Sequence, residues 1–330
     1  MARLLFIGNY LQSISLIPIN TCTTKMKKLL LASVLLISTS LFAQQDPLFS
    51  QYMFNKLAVN PGYAGSHEGL TADILNRWQW VGIDGAPKTL SASIHSSLRN
   101  PHIGLGLNVY NDKLGPTLSQ GALATFAYRI IFPASTLSFG LQAGVKYMDI
   151  DWSSIDVIDM DDVALMGNTL NKAVPDANFG VYYYSEKYYA GISTKQLLQN
   201  EIAVVHMDDK TQFTHLLRHF YGMAGGAFPI TDGLVFRPSF LAKFVKNAPP
   251  QLDLNVSFLI ANTLWLGASY RTENAMSFMT EFKVTKNIRI GYSYDIWFNQ
   301  LRTVNKGSHE IRLGIDLESL RSRMLSPRYF

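Results

Sequence analysis

Apolar and polar residues alternate with a period of two along most of the chain after residue 68. A clear example near 135–148 alternates apolar with small or polar residues: Leu137, Ser138, Phe139, Gly140, Leu141, Gln142, Ala143, Gly144, Val145 and Lys146. A period of two indicates a β-strand with one apolar face and one small or polar face. A soluble sandwich of two sheets shows the same alternation, so one strand does not separate a soluble protein from a membrane protein.

The whole set of strands is more informative than any one of them. About fourteen segments show the pattern, near 69–79, 88–98, 101–111, 118–130, 135–148, 177–185, 188–195, 218–228, 233–246, 251–260, 262–271, 276–284, 287–298 and 307–317. Most have roughly 9–12 residues, which is enough for a tilted strand to cross a bilayer. Aromatic residues near the strand ends resemble the interfacial girdles of a membrane barrel: Trp78, Trp80, Tyr110, Tyr147, Tyr188, Tyr189, Tyr270, Trp297 and Phe298.

The connections between these segments alternate between the two ends of the predicted barrel, and those at one end are shorter than those at the other. If the first strand begins in the periplasm, the inner turns are all short: 99–100, 132–134, 186–187, 229–232, 261 and 285–286. The outer loops include 149–176 and 196–217, which are long, and 80–87 and 299–306, which are moderate. Bacterial outer-membrane barrels have short periplasmic turns and longer external loops. The pattern therefore predicts an all-β protein: a transmembrane antiparallel outer-membrane β-barrel of about 14 strands over residues 69–318.

Composition excludes several other classes of protein. The chain has 330 residues, of which 48% are hydrophobic, 12% aromatic and only 16% charged. These values do not fit a disordered or coiled-coil protein. The single cysteine, Cys22, excludes a disulfide scaffold and a cysteine-based zinc site.

The N-terminal residues have the form of a secretory signal peptide. Met26, Lys27 and Lys28 begin a basic region, an apolar stretch follows, and Ala43 ends a cleavage site. We interpret 26–43 as the signal peptide and 1–25 as an upstream extension from a misassigned start; a genuine N-terminal anchor is the alternative. The leader contains four basic and no acidic side chains, which leaves 25 basic and 24 acidic side chains in the remainder. The basic balance of the whole chain therefore does not indicate binding to nucleic acid.

Residues 44–68 precede the first strand and lack its alternation. Their aromatic residues need a surface to bury on, which argues against a disordered leader. We expect an N-terminal periplasmic or plug segment here, which packs in or below the barrel mouth on the periplasmic side. Charged residues within the strands should face the lumen or sit at strand ends, because a charge facing mid-bilayer lipid costs about 2–4 kcal/mol. A lumen of fourteen strands that also receives this segment favours a filled barrel, and an open pore is the alternative.

The segment QDPLFSQYMFNKLAVNPGYAGS, residues 45–66, resembles the N-terminal signature of the PorP/SprF proteins of type IX secretion in Bacteroidota. The resemblance extends to the end of the chain, in residues 76–82, 85–89, 104–107, 111–117, 308–311 and 326–330. Lys56 departs from the signature, in which we expect an uncharged residue, and we interpret it as a surface substitution.

This resemblance implies a non-enzymatic outer-membrane barrel without a cofactor. The expected partners are outer-membrane lipid, the periplasmic secretion ring, a peptidoglycan-binding protein and an exported surface adhesin used in gliding motility. The expected periplasmic partner-binding residues are Asp46, Pro47, Phe49, Gln51, Tyr52, Phe54, Asn60, Pro61, Tyr63, Arg328, Tyr329 and Phe330. The residues expected to shape the outer loops are Trp80, Gly82, Gly85, Pro87, Asn111, Asp112 and Pro116.

Several other hypotheses stay open from the residues alone. The chain could be a porin-like channel for small solutes, or a membrane lipase that uses His95 and Ser97 on one strand face. His215 and His219 are four residues apart, and the loop 149–176 contains Asp159, Asp161 and Asp162, but neither set matches a known metal pattern. The tail 319–330 is either an assembly signal or a docking peptide for a periplasmic partner.

Overall fold

The computed structural model describes residues 46–47, 49–67, 69–151, 170–207, 210–272 and 275–317. The extension 1–25, the signal peptide 26–43 and the tail 319–330, with Arg328, Tyr329 and Phe330, lie outside the described residues. Asp159, Asp161 and Asp162 lie outside them as well. Within the described ranges, no helix has the length and apolar character needed to cross a membrane.

The described chain consists almost entirely of β-strands. They are β1 (Leu70–Trp78), β2 (Lys88–Ser97), β3 (Ile103–Leu114), β4 (Thr117–Phe132), β5 (Ser135–Ile150), β6 (Leu170–Ser185), β7 (Tyr188–Lys195), β8 (Glu201–Met207), β9 (Lys210–His215), β10 (His219–Gly226), β11 (Phe228–Thr231), β12 (Leu234–Val245), β13 (Gln251–Ile260), β14 (Leu264–Arg271), β15 (Ala275–Lys283), β16 (Ile288–Trp297) and β17 (Ser308–Leu317).

The strands close into an antiparallel barrel. Consecutive strands pair from β1 to β7 and from β11 to β17, β1 pairs with β17, and β10 pairs with both β7 and β12. β11 follows β10 after a break at Ala227, and both pair with β12. Counted as one strand of the wall, they give a closed wall of fourteen strands with no open edge. Closure satisfies the backbone groups that an open edge would expose to lipid. The predicted fold class and the fourteen predicted segments are therefore confirmed.

Two features near the long loops differ from the sequence pattern. β6 begins at Leu170, earlier than predicted, and pairs with β5 up to Ile150. The predicted loop 196–217 contains a separate hairpin of β8 and β9. We call the end with the short turns, where β1 begins and β17 ends, the periplasmic end, and we call the opposite end the outer end.

The two faces of the wall have opposite character. The outward positions are apolar and exposed, as in β4 at Phe126, Tyr128 and Ile130. The inward positions are polar and buried, as in β2 at Ser91, Ser93 and His95. The strand charges also face inward, as expected, and Arg77, Arg129 and Arg312 are at most 1% exposed. This arrangement is the one that a lipid-facing barrel requires.

The N-terminal segment lies inside the barrel. Residues 50–66 are all buried and include two short 3-10 helices, Lys56–Ala58 and Pro61–Tyr63. The segment extends along the lumen, beyond the periplasmic mouth where we expected it, and the filled lumen that we favoured is found. The small inward side chains of the wall leave space, and the apolar side chains of the segment are removed from water by filling it. Lys56 is only 1% exposed, so its interpretation as a surface substitution is wrong.

Candidate functional site

We call residues 46–66, without Leu48, the lumen plug. The plug follows the length of the lumen, from contacts with outer strand ends at Asp46 to contacts with periplasmic strand ends at Gly65. The candidate site is the interface between this plug and the inner face of the barrel.

The middle of the plug is seated on wall glycines. The Asn60 side chain donates hydrogen bonds to the carbonyls of Val181, at 3.0 Å, and Ile192, at 3.2 Å. Its oxygen accepts a hydrogen bond from the Gly62 amide at 2.8 Å, which holds the turn into Pro61–Tyr63. A Cβ atom at Gly180 would overlap the Asn60 side chain, so only glycine allows this close approach. Gly140 and Gly191 leave space for the same turn in the same way.

The periplasmic end of the plug is also in direct contact with the wall. Gly65 has a φ of +73°, which favours glycine. Its amide donates to Nδ1 of His95 at 3.3 Å, and its carbonyl accepts a hydrogen bond from Arg129. A Cβ atom at Gly65 would lie 2.7 Å from the Cα atom of Gly104. The plug therefore meets the wall backbone to backbone at this point.

A buried ion cluster holds the first turn of the plug. The Glu310 carboxylate accepts hydrogen bonds from the backbone amides of Ser50, at 2.9 Å, and Gln51, at 2.8 Å. Arg77 lies 3.1 Å from Glu310 and 2.6 Å from Asp295. The Ser50 hydroxyl donates to Asp295 at 2.7 Å. Wall charges that are already paired with each other thus also bind the plug backbone.

A second ion cluster lies deeper in the lumen. Arg312 forms ion pairs with Asp73 and Glu281, and it donates to the Phe54 carbonyl at 3.2 Å. Arg289 extends the cluster, 3.5 Å from Glu281 and 2.7 Å from Asp316. Buried charges persist only when they are paired in this way.

The outer end of the plug is held by Asp46. Its carboxylate accepts a hydrogen bond from the Gln196 side chain at 2.6 Å and lies 3.8 Å from both Lys146 and Lys195. Burial by itself would raise the pKa of Asp46, but the positive charges of His219 and the neighbouring lysines outweigh it and hold this pKa well below 3.8. Asp46 is therefore a carboxylate at neutral pH.

Lys56 lies in the aromatic core of the plug. Its ammonium donates to the Met53 carbonyl at 2.7 Å and lies 5.3 Å from the Tyr63 ring centroid and 4.8 Å from that of Tyr189. Burial lowers the pKa of Lys56 well below its ordinary value. Tyr52 and Phe54 belong to the same buried cluster.

The residues predicted to shape the outer loops lie at the outer end. Trp80 has a φ of 50°, and its ring makes an edge-to-face contact with Trp297, with ring centroids 5.6 Å apart. Its backbone amide donates a hydrogen bond to the Ser308 hydroxyl. Two backbone hydrogen bonds join 79–87 to 299–307: the Val81 amide to Gly307, and the Lys306 amide to Val81. These two loops therefore form one structured surface.

The remaining outer-loop predictions are partly corrected. The Gly85 carbonyl accepts a hydrogen bond from the Gly115 amide at 2.8 Å. The Pro87 carbonyl accepts one from the Gln79 amide at 3.0 Å, and the Pro116 carbonyl accepts one from the Asp151 amide at 3.0 Å. Gly82 has a φ of 102°.

Asn111 and Asp112 lie within β3 rather than in a loop, because the β3–β4 pairing extends to Leu114. Asp112 accepts a hydrogen bond from Thr89 at 2.6 Å, and Asn111 accepts one from Gln120 at 2.7 Å.

The residues considered for catalysis or metal binding have other contacts. His95 lies beneath the plug, and within the described residues no hydrogen bond joins it to Ser97. His215 lies 3.7 Å from Glu201, and both side chains are exposed, whereas His219 is buried and bonds to the Leu217 carbonyl. In the described ranges, no group of three His, Cys, Asp or Glu side chains could hold a metal ion.

The predicted partner-binding residues of the plug all lie in the lumen. Gln51, Tyr52, Phe54, Asn60, Pro61 and Tyr63 are buried, whereas Asp46, Pro47 and Phe49 are partly buried and line a space beside the wall. Sequence reasoning missed Glu310 and Asp295 as their partners. The inward-facing glycines of the strands do indicate close packing or the approach of a plug segment, because glycine in a strand marks close backbone approach.

The comparisons with known proteins give one family and several barrels. Three solved structures similar to the chain are the CymD monoaromatic hydrocarbon channel (12% identity, TM-score 0.48, covering 85% of this chain and 96% of that one), the toluene transporter TodX of Pseudomonas putida (10%, 0.43, 78% and 91%) and the outer membrane protein Omp33 of Acinetobacter baumannii (7%, 0.44, 77% and 100%). A comparison with curated proteins gave no match.

The family profile described as type IX secretion system membrane protein PorP/SprF matches residues 41–315. This match includes the plug and nearly the whole barrel. The chain therefore belongs to the PorP/SprF family and is an outer-membrane β-barrel component of type IX secretion.

Proposed function

We propose that this protein is a non-enzymatic anchor of type IX secretion in the outer membrane. In this proposal, its periplasmic end holds parts of the periplasmic secretion machinery, and its outer end supports the export or attachment of cell-surface proteins such as gliding adhesins. The filled lumen carries the proposal. Because the plug occupies the interior and lipid covers the outer wall, the two ends of the barrel are the surfaces that partner proteins can reach.

The periplasmic end has features that suit a protein partner. Its turns expose the apolar Leu98, the basic Arg99, Lys187 and Lys286, and the acidic Glu186 and Asp232. The three basic side chains would pair with acidic groups of a partner. The partner-binding role that we predicted for plug residues such as Phe54 and Asn60 stays a prediction, because those side chains could contact a partner only outside the lumen.

The outer end has a firm surface in the joined loops 79–87 and 299–307. Their backbone hydrogen bonds and the Trp80–Trp297 contact limit their motion, and Phe298 and Val304 are more than half exposed. Rigid loops with exposed apolar side chains lose little conformational entropy on binding. These properties support contact between this surface and an exported protein.

Charge reversal at the periplasmic turns tests the proposal. Crosslinked pull-downs from outer-membrane fractions would compare wild type with Arg99→Glu/Lys187→Glu/Lys286→Glu and with Arg302→Glu, a control in the outer surface. We expect the triple variant to lose the periplasmic ring proteins and the control to keep them. Equal recovery of ring proteins by all three would contradict the proposed docking surface.

A further inference from the structure

We propose that the lumen plug is a displaceable gate, and that the barrel conducts small hydrophilic solutes when the plug leaves the lumen. This activity goes beyond anchoring, and it depends on the inner wall rather than on the barrel ends.

Part of the wall behind the plug has the polar character of a water-filled channel. Several buried side chains of β2, β3, β5, β6 and β7 are hydroxyls and amides, namely Ser91, Ser93, Asn108, Gln142, Asn178 and Ser193, whereas Tyr182, Tyr184 and Tyr189 belong to the apolar cluster that includes the plug. A permanent core would favour apolar side chains here, because a buried polar group costs free energy unless it is hydrogen-bonded.

Water can hydrogen-bond to these buried hydroxyls and amides in an open lumen, and their hydration offsets part of the cost of exposing the apolar side chains of the plug.

A small cavity lies between the plug and this part of the wall. It has a volume of about 30 Å³, is partly open to solvent, and is lined by the plug residues Asp46, Phe49 and Ala58 and the wall residues Asn108 and Gln142. Farther along the plug, the turn at Asn60–Gly62 presses on the wall glycines. We infer that this turn is the constriction that closes the passage.

The wall charges do not need the plug as a partner. Arg77 pairs with Asp295 and Glu310, and Arg312 pairs with Asp73 and Glu281. All of these residues belong to the wall. Plug departure would therefore leave each arginine of these clusters with its carboxylates, which avoids the large cost of an unpaired buried charge.

The outer end of the plug is held by a contact that can be broken. Asp46 is 10% exposed and forms the ion pairs with Lys146 and Lys195, at 3.8 Å, that join the plug to the wall at the outer end. At the other end the plug continues into β1, and Gly69 there has a φ of 87°, which favours glycine. Because the connection to the wall lies at the periplasmic end, the plug would leave toward the periplasm.

A reversible disulfide tests whether plug motion is needed for conduction. A Cβ atom at Gly62 would lie 3.0 Å from the Cβ atom of Tyr182, close to the roughly 3.5–4.5 Å of natural disulfides. The sequence has no cysteine after Cys22, so Gly62→Cys/Tyr182→Cys would introduce the only pair downstream of the predicted leader. The full-length protein would be oxidised and placed in planar bilayers with potassium chloride as the probe.

We expect the oxidised double variant to be silent and to show current steps after dithiothreitol, while wild type shows steps with or without it. Gly62→Cys and Tyr182→Cys alone are the controls for each substitution. Equal conductance of the oxidised and reduced forms would overturn the proposal, as would silence of wild type and of every reduced variant. Heat-modifiable migration on gels verifies that each barrel has folded.

A second variant tests the outer contact without a new bond. Asp46→Asn removes the plug charge that Lys146 and Lys195 share, and we expect the open probability to rise about tenfold. Asp84→Asn makes the same change on an exposed outer loop and should conduct like wild type. An unchanged open probability in Asp46→Asn, or an equal rise in both variants, would contradict the proposal that the Asp46 ion pairs hold the plug in the lumen.

Discussion

The Asn60 side chain occupies the place that a side chain at Gly180 would need. Asn60 belongs to the N-terminal segment and Gly180 to β6, yet the plug reaches this wall only because residue 180 has no Cβ atom. The pairing explains why a strand that is otherwise rich in bulky residues contains a glycine on its inward face.

Replacing this glycine should destabilise the protein. Gly180→Val would force Asn60 away from the wall, and we expect a loss of about 1–3 kcal/mol in the free energy of unfolding, as for other overpacked sites. Thermal unfolding in detergent, followed by circular dichroism, measures the change. Gly222→Val is a matched control, because a Cβ atom at Gly222 in β10 meets nothing within 4 Å. Similar losses in the two variants would show that glycine matters here for reasons other than the plug.

Removing Arg77 should destabilise the protein more strongly. Arg77→Met would leave the buried carboxylates of Asp295 and Glu310 without their cation, and breaking such a cluster typically costs about 3–5 kcal/mol. Urea unfolding of Arg77→Met and of Arg302→Met, an exposed loop control, would measure the cost. The triple variant Arg77→Met/Asp295→Asn/Glu310→Gln should recover part of the loss. No recovery would mean that the unpaired carboxylates are not its cause.

Lys56 should make stability depend on pH. Burial lowers the pKa of Lys56 in the folded protein below the 10.5 of an exposed lysine, so the unfolded chain binds more protons in the interval between the two values. Stability should therefore rise as pH increases across this interval. Unfolding midpoints at several pH values, compared with Lys56→Met, isolate this contribution. We expect the variant to be more stable than wild type at pH 7 and to have a weaker dependence on pH; parallel curves would contradict the assignment.

The orientation of the barrel can be tested with single cysteines. Asp84 lies in an exposed loop at the outer end, and Lys286 lies in an exposed turn at the periplasmic end. A membrane-impermeant maleimide should label Asp84→Cys in intact cells and Lys286→Cys only after the outer membrane is permeabilised, because short turns face the periplasm. The reverse labelling pattern would invert the orientation and move the proposed docking surfaces to opposite sides of the membrane.

Most of the wall could be predicted from the sequence, because the period of two is a local property. A run such as 251–260 is already a strand with a lipid face and a lumen face, and it was found with the same bounds. The early start of β6 could not be predicted in this way. Leu170 is in a strand because it pairs with Ile150, and that pairing depends on a partner strand rather than on local alternation.

The candidate site was predicted less completely. The segment of residues 44–68 stood out by its aromatic residues and its missing alternation, and a filled lumen was expected, but the length of lumen that the segment follows and its contacts with the wall were not. Glu310 accepts a hydrogen bond from the Gln51 amide at 2.8 Å. These residues are 259 positions apart, and closure of the barrel between β1 and β17 brings them together. No spacing along the chain encodes such a contact.

The strands, their two faces and the membrane barrel follow from local sequence, because alternation along a strand is enough to separate lipid-facing from lumen-facing side chains. What fills the lumen depends on how the whole chain is folded. Lys56 is a polar residue by its chemistry and a buried one by its position, since the surrounding wall removes it from water. A closed barrel creates an interior that no single strand possesses, and the plug acquires its contacts from that interior.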